Sequence, residues 1–250
     1  MISVLLWYVL LNESLEASAE QNNGALEARG SISFVPNDRI TPPTHPNKPD
    51  PNKPVTPKNP DGSKPLPGAK GTLTLDFSSS FDFGRHPISN KDEIYYAQAQ
   101  SYFDSDVVTP NYAQVTDVRG TQAGWTLKVL KTMQFTENTT GKNHQLDGAS
   151  ISLLAPVAAT NGDANTPVTQ EVIQLIPGEE TLVATAKSGT GAGTWVIRWG
   201  EMKDLIQKEG TASSELLTPH VQLFVPGKTR KEAANYKTTL KWILSDSPSN

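Results

Sequence analysis

The sequence contains no cysteine, which excludes a disulfide framework, a zinc ribbon, a thiolate nucleophile and an iron–sulfur cluster. It also lacks an excess of positive charge. With 22 Lys and Arg against 26 Asp and Glu, the net charge is −4, without the basic footprint of a nucleic-acid binder. Apolar runs are short: ISVLLWYVLL at residues 2–11 stops at Asn12 and Glu13, half the roughly 20 residues of a membrane-spanning helix. Histidine is scarce, and His45, His86, His144 and His220 show no spacing of the H-E-x-x-H kind. There is no G-x-S-x-G elbow, and acidic pairs such as Asp104 with Asp106 or Glu179 with Glu180 read as strand-end or turn charges. The sequence therefore points to no catalytic residue, no metal and no cofactor. Stability must come from packing, which is feasible because a chain of this size buries about 70% of its unfolded surface.

What is present divides the chain into four parts. The run at residues 2–11, followed by Ala17-Ser18-Ala19, has the form of a secretory signal cleaved after Ala19, giving a signal segment 1–19. Residues 41–70 hold 10 of the 19 prolines with five lysines and two aspartates. Proline removes amide donors and favours extended geometry, so this stretch reads as a polyproline linker or exposed loop spanning at most about 90 Å. Between these parts, residues 20–40 contain GSISFVP, with Ile32 and Phe34 on one face of a short strand. An isolated strand is unstable in water, so residues 31–35 are expected to join the sheet of the domain at 71–250, leaving the proline tract as a long excursion.

From Gly71 onward the chain reads as strands and turns. Apolar or alternating runs occur at 73–77, 94–102, 124–130, 151–154, 169–176, 181–187, 195–199, 221–225 and 236–244. Pro177-Gly178, Pro226-Gly227 and a glycine cluster at 189–193 supply turns. The reading is an all-β antiparallel sandwich or barrel-like domain. One short helix is expected, from Met202, Leu205 and Ile206 closed by Gly210.

Three strands carry tryptophan. In GWTLKVLK, Trp125, Leu127 and Val129 share one face because side chains alternate. In YKTTLKWILSD, Leu240, Trp242 and Leu244 do the same, and Trp195, Ile197 and Trp199 form a third set. Period-two spacing with leucine two residues on favours a core role for Trp125, Leu127, Trp242 and Leu244 over sugar stacking. Lysines are expected on the opposite, outward faces, making Lys128, Lys131, Lys237 and Lys241, with Lys228, Arg230 and Lys231 in the preceding loop, the candidate polymer contacts. Asn161-Gly-Asp163-Ala-Asn165 imitates the start of a calcium loop without its glycine and glutamate, and Asn138-Thr-Thr140 is a chance sequon.

The Gly-Trp-x-Leu strand in mid-domain and the Leu-x-Trp-x-Leu-Ser-Asp strand at the C-terminus resemble the paired motifs of the WxL domain of Gram-positive surface proteins. The likeness extends to GSISFVPND, the proline stretch, LTLDF with FDFG, IYYAQAQ, PNYAQVTDVRGTQAGWTLKV and LDGASISL. The resemblance implies export to the cell surface and noncovalent attachment to peptidoglycan or associated wall polymers. It also implies operation beside other surface proteins of the same gene cluster, and brings no catalytic residue or cofactor. An adhesive protein that binds another surface protein or a host matrix component is the alternative.

Overall fold

The computed structural model describes residues 29–137, 144–162, 165–208 and 215–247. The signal at 1–19, the sequon Asn138-Thr-Thr140 and Asp163 of the calcium-like loop lie outside the described residues. In chain order the strands begin β1 (Pro57–Lys58), β2 (Leu73–Ser78), β3 (Glu93–Gln98), β4 (Ser101–Tyr102), β5 (Tyr112–Asp117), β6 (Trp125–Lys131), β7 (Thr136–Glu137), β8 (Ser150–Leu154) and β9 (Pro156–Ala159). They continue as β10 (Val168–Thr169), β11 (Val172–Leu175), β12 (Glu180–Ala186), β13 (Gly193–Trp199), β14 (Ile206–Gln207), β15 (Leu216–Val225), β16 (Tyr236–Lys237) and β17 (Leu240–Ser245).

The all-β class read from the sequence holds. The main sheets are antiparallel and run in the orders β10-β12-β6-β17, β2-β5-β13-β9 and β11-β8-β15-β14, with β3 also paired to β15. They do not close into a barrel. Each turns one face inward, and these faces meet in one core that includes Trp125 and Leu127, Trp195 and Trp199, and Ile151 and Leu223. The expected short helix is a single 3-10 turn, Met202–Asp204, after which the chain goes directly into β14. Its apolar spacing continues into a strand because Leu205 already has extended backbone geometry.

Residues 31–35, expected as a strand, are not in one. Of the linker and loop alternatives, the proline tract takes the loop, laid against the domain as a strap. Proline-rich backbone has carbonyls with few amides beside them, and here those carbonyls accept from buried donors. Gln114 Nε2 donates to Pro42 O at 3.1 Å, Val55 N to Pro43 O at 2.9 Å and Arg198 Nη1 to Pro46 O at 3.2 Å. Thr44 is fully buried, its amide donating to Gln114 Oε1 at 2.8 Å. Farther along, β1 pairs with β4, and Val55 packs on a second small core of Phe77, Tyr102, Tyr112 and Val196.

The strap explains why β5 is buried on both faces. Ala113 and Val115 face the main core, while Tyr112, Gln114 and Thr116 lie on the strap side. There Asp76 accepts from Thr74 Oγ1 and Thr116 Oγ1, each at 2.6 Å, and from Gln114 Nε2 at 2.9 Å. Burial pushes the Asp76 carboxyl above its ordinary range, against the three hydrogen bonds that pull it down.

Gln114→Ala removes the acceptor of the Thr44 amide and leaves that donor buried, a cost of about 1–3 kcal/mol. Hydrogen exchange at the Thr44 and Val55 amides is expected to accelerate while exchange at the β6 amides stays slow. Unchanged exchange at Thr44 would show that the strap is held by something other than Gln114.

Candidate functional site

The two Trp-x-Leu strands are neighbours. β6 lies between β12 and β17, with Trp242 opposite Val129 and Leu244 opposite Leu127. Trp125, Leu127 and Val129 have no exposed surface, whereas Trp242 and Leu244 are half-buried on the edge strand and pack against the core. The Trp242 ring lies 5.8 Å from that of fully buried Trp199, tilted by 41°. Trp125 Nε1 donates to Gly191 O at 2.9 Å. Gly191, at φ +74°, has no room for a Cβ, which would overlap the Ala186 side chain and crowd the Trp125 indole. Gly124, at φ +85°, is fixed in the same way by the Ala186 carbonyl of β12. The glycine that precedes the first motif tryptophan thus sets how closely β12 approaches. Trp125 is closed to any ligand, and Trp242 offers only a partial edge.

The candidate basic contacts do not form one patch. Lys131 is a correction, because it is fully buried. It has the same parity as Trp125, Leu127 and Val129, and period-two alternation therefore sends it inward with them. Its Nζ donates to Gln134 Oε1 at 2.9 Å and Ala149 O at 3.3 Å and lies 5.1 Å from the centre of the Phe135 ring. Burial pushes its pKa down from 10.5 to about 8. Lys128 is half-buried and pairs with Glu180 at 3.2 Å. Lys231 Nζ caps its own loop, donating to Pro226 O at 2.9 Å and Thr229 O at 3.1 Å. Arg230 is exposed but pairs with Glu232 at 2.9 Å. Lys228, Lys237 and Lys241 are exposed.

Sequence spacing missed one convergence. Glu137, His144 and Glu232 bring their ligand-type atoms within 4.8 Å of one another, with His144 Nδ1 3.0 Å from Glu232 Oε1. Glu137 N donates to His144 O at 2.9 Å, but Glu232 comes from far along the chain. Imidazole with two carboxylates is a donor set that divalent transition ions accept. A shallow depression of about 250 Å³ beside β3 is lined by Phe83, His86, Tyr95 and Tyr96 among others. That is smaller than the ~300–1,000 Å³ of ordinary small-molecule pockets. His86 occupies one side of it, its ring 4.1 Å from that of Tyr95.

A family model described as "WxL domain surface cell wall-binding" matches residues 21–248. No curated protein and no solved structure matches the chain significantly.

Trp125→Ala is expected to destabilise the fold by about 3–5 kcal/mol, and Trp242→Ala by less because its ring is half-buried. Urea unfolding of the two variants measures the order, and a larger loss at Trp242 would contradict it. Lys131 gives a pH signature. Its folded pKa of about 8 lies below the usual 10.5, so between those values the folded chain binds fewer protons than the unfolded chain. Stability then rises with pH across that window and bears the full penalty below about pH 8. Lys131→Met removes the titrating group, while Gln134 Oε1 still accepts from Phe135 N and Ala149 O from Gln134 Nε2. The stability gap between variant and wild type is therefore expected to shrink from pH 7.5 to pH 10, and a constant gap would contradict the buried ammonium.

Proposed function

From the premise that the chain belongs to the WxL family of surface cell wall-binding domains, we propose that it is exported through its N-terminal signal. On this reading it attaches noncovalently to peptidoglycan or associated wall polymers, as one component of a surface assembly. The observation that carries the reading is the family match over residues 21–248. The family is one of wall-binding domains rather than enzymes, and this chain is proposed to act by binding alone. Among the described residues no helix is long and apolar enough to cross a membrane.

Charge limits how attachment works. Cleavage after Ala19 removes Glu13 and Glu16 and takes the net charge from −4 to −2 in the exported chain, a weak overall repulsion from anionic wall polymers. Of the candidate cations, Lys228, Arg230, Lys237 and Lys241 are exposed, Arg230 being paired with Glu232, and exposed ion contacts contribute about 0–1 kcal/mol each. The main contact is therefore proposed to be uncharged, with these lysines adding a minor, salt-sensitive share.

Co-sedimentation with purified, protein-free sacculi tests the reading. The wild-type protein is expected to pellet with sacculi and to stay bound in about 0.5 M NaCl, where charge attraction is screened within a few ångströms. Lys237→Ala with Lys241→Ala is expected to weaken binding less than about fivefold. No pelleting on sacculi, with recovery on intact cells, would assign a protein receptor instead. Complete release by salt would return the contact to the lysines.

A further inference from the structure

The three main sheets differ in what their outer faces carry. The β2-β5-β13-β9 sheet is covered by the proline strap over β5 and β13. The β10-β12-β6-β17 sheet is charged on its outer side, with the Lys128–Glu180 pair and exposed Lys241. The third is unlike either. In its central cross-strand row Tyr96 lies opposite Gln222, Gln222 opposite Ser152 and Ser152 opposite Gln174. In the next row Ile94 lies opposite Phe224 and Phe224 opposite Ser150. The intervening residues Ala97, Leu223, Ile151 and Leu175 are buried in the core, so alternation turns both rows outward.

These outward positions are half-buried to exposed, with Ile94 49% exposed and Gln174 open to solvent. None carries a charge, although charged residues make up 19% of the chain. The central row crosses four strands, three steps of about 4.8 Å or roughly 14 Å. It is a row of hydroxyl and amide groups that can both donate and accept, beside the aromatic surfaces of Tyr96 and Phe224, with one Gln222 Nε2 hydrogen already given to Pro219 O at 3.0 Å. At the rim, Lys208 is held by Glu215 at 2.9 Å, which keeps the border locally neutral.

We propose that this outer face of β3, β15, β8 and β11 is the docking platform for the uncharged glycan backbone of the wall. The proposal rests on the wall-attachment reading and assigns it a surface and a ligand class. A neutral face suits a neutral polymer, since burying it against anionic strands would leave their charges without partners. A protein partner would instead be met by an apolar centre, whereas here the central row is polar and the apolar pairs Ile94–Phe224 and Leu154–Val172 flank it. Ring faces of sugars stack on the aromatic side chains, and their hydroxyl and amide groups exchange hydrogen bonds with Gln222, Ser152 and Gln174.

The experiment compares untreated sacculi with sacculi stripped of anionic polymers by hydrofluoric acid, using the full chain and the variant Tyr96→Ala with Phe224→Ser. Retained folding is checked by near-UV circular dichroism and thermal melting. Wild type is expected to pellet equally with both preparations, and the folded variant to lose binding at least tenfold on both. If the variant does not fold, Gln174→Arg at the exposed end of the row replaces it, with the same loss expected. Full binding by a folded variant overturns the platform while leaving wall attachment standing. Wild type that binds untreated but not stripped sacculi overturns the glycan as ligand and assigns an anionic polymer. Wild type that binds neither overturns the wall-attachment reading and the platform with it.

Discussion

The pairing of β6 with β17 is the constraint on which the rest depends. A chain without cysteine has no covalent cross-link, so its C-terminal strand must be held by packing and ladder hydrogen bonds alone. β17 meets that need by setting Leu240, Trp242 and Leu244 opposite Lys131, Val129 and Leu127. The half-buried Trp242 ring then reaches Trp199 of a different sheet. The two motif tryptophans therefore belong to one joint that seals an edge of the core, and Gly124 and Gly191 supply the clearance that lets β12 close on its other side.

Trp125 is closed inside the core and Trp242 is half-buried against it, and each sheet treats its outer face differently. The strap supplies carbonyl acceptors to Gln114 Nε2 and Arg198 Nη1, while Arg198 Nε and Tyr112 Oη stay buried without a hydrogen-bond partner among the described residues. The sheet of the paired motifs remains solvated and charged. The sheet of β3 and β15 presents uncharged polar and aromatic groups. Family membership marks the chain as a surface cell wall-binding domain, and the platform proposed above puts that contact on a sheet face.

Strands with one wet face were legible because their apolar positions alternate, as in β6 and β17. The same rule, followed one residue further, places Lys131 inside; its charge suggested an outward side chain, but position on the strand outweighs residue type. β5 was not legible as a strand, since YAQVTD reads as polar when no cover is foreseen. Its cover comes from Thr44 and Pro42, about 70 residues earlier, and no local pattern announces a partner at that distance. For the same reason the proline tract read as either a linker or an exposed loop: composition shows missing donors but not where its carbonyls find theirs. Two-dimensional registers, such as the row from Tyr96 to Gln174, exist only once four strands are aligned.

The absence of native cysteine allows a direct test of the central pairing. Lys128 and Ile243 lie opposite each other on the outward side of β6 and β17, and opposed residues of antiparallel strands have Cα separations of about 4.5–5.5 Å, within disulfide range. In the Lys128→Cys/Ile243→Cys double variant, mild oxidation of the folded protein is expected to produce an intramolecular disulfide, identified by mass spectrometry of the linked peptides. Two free thiols in a folded, oxidised sample would contradict the pairing of these strands.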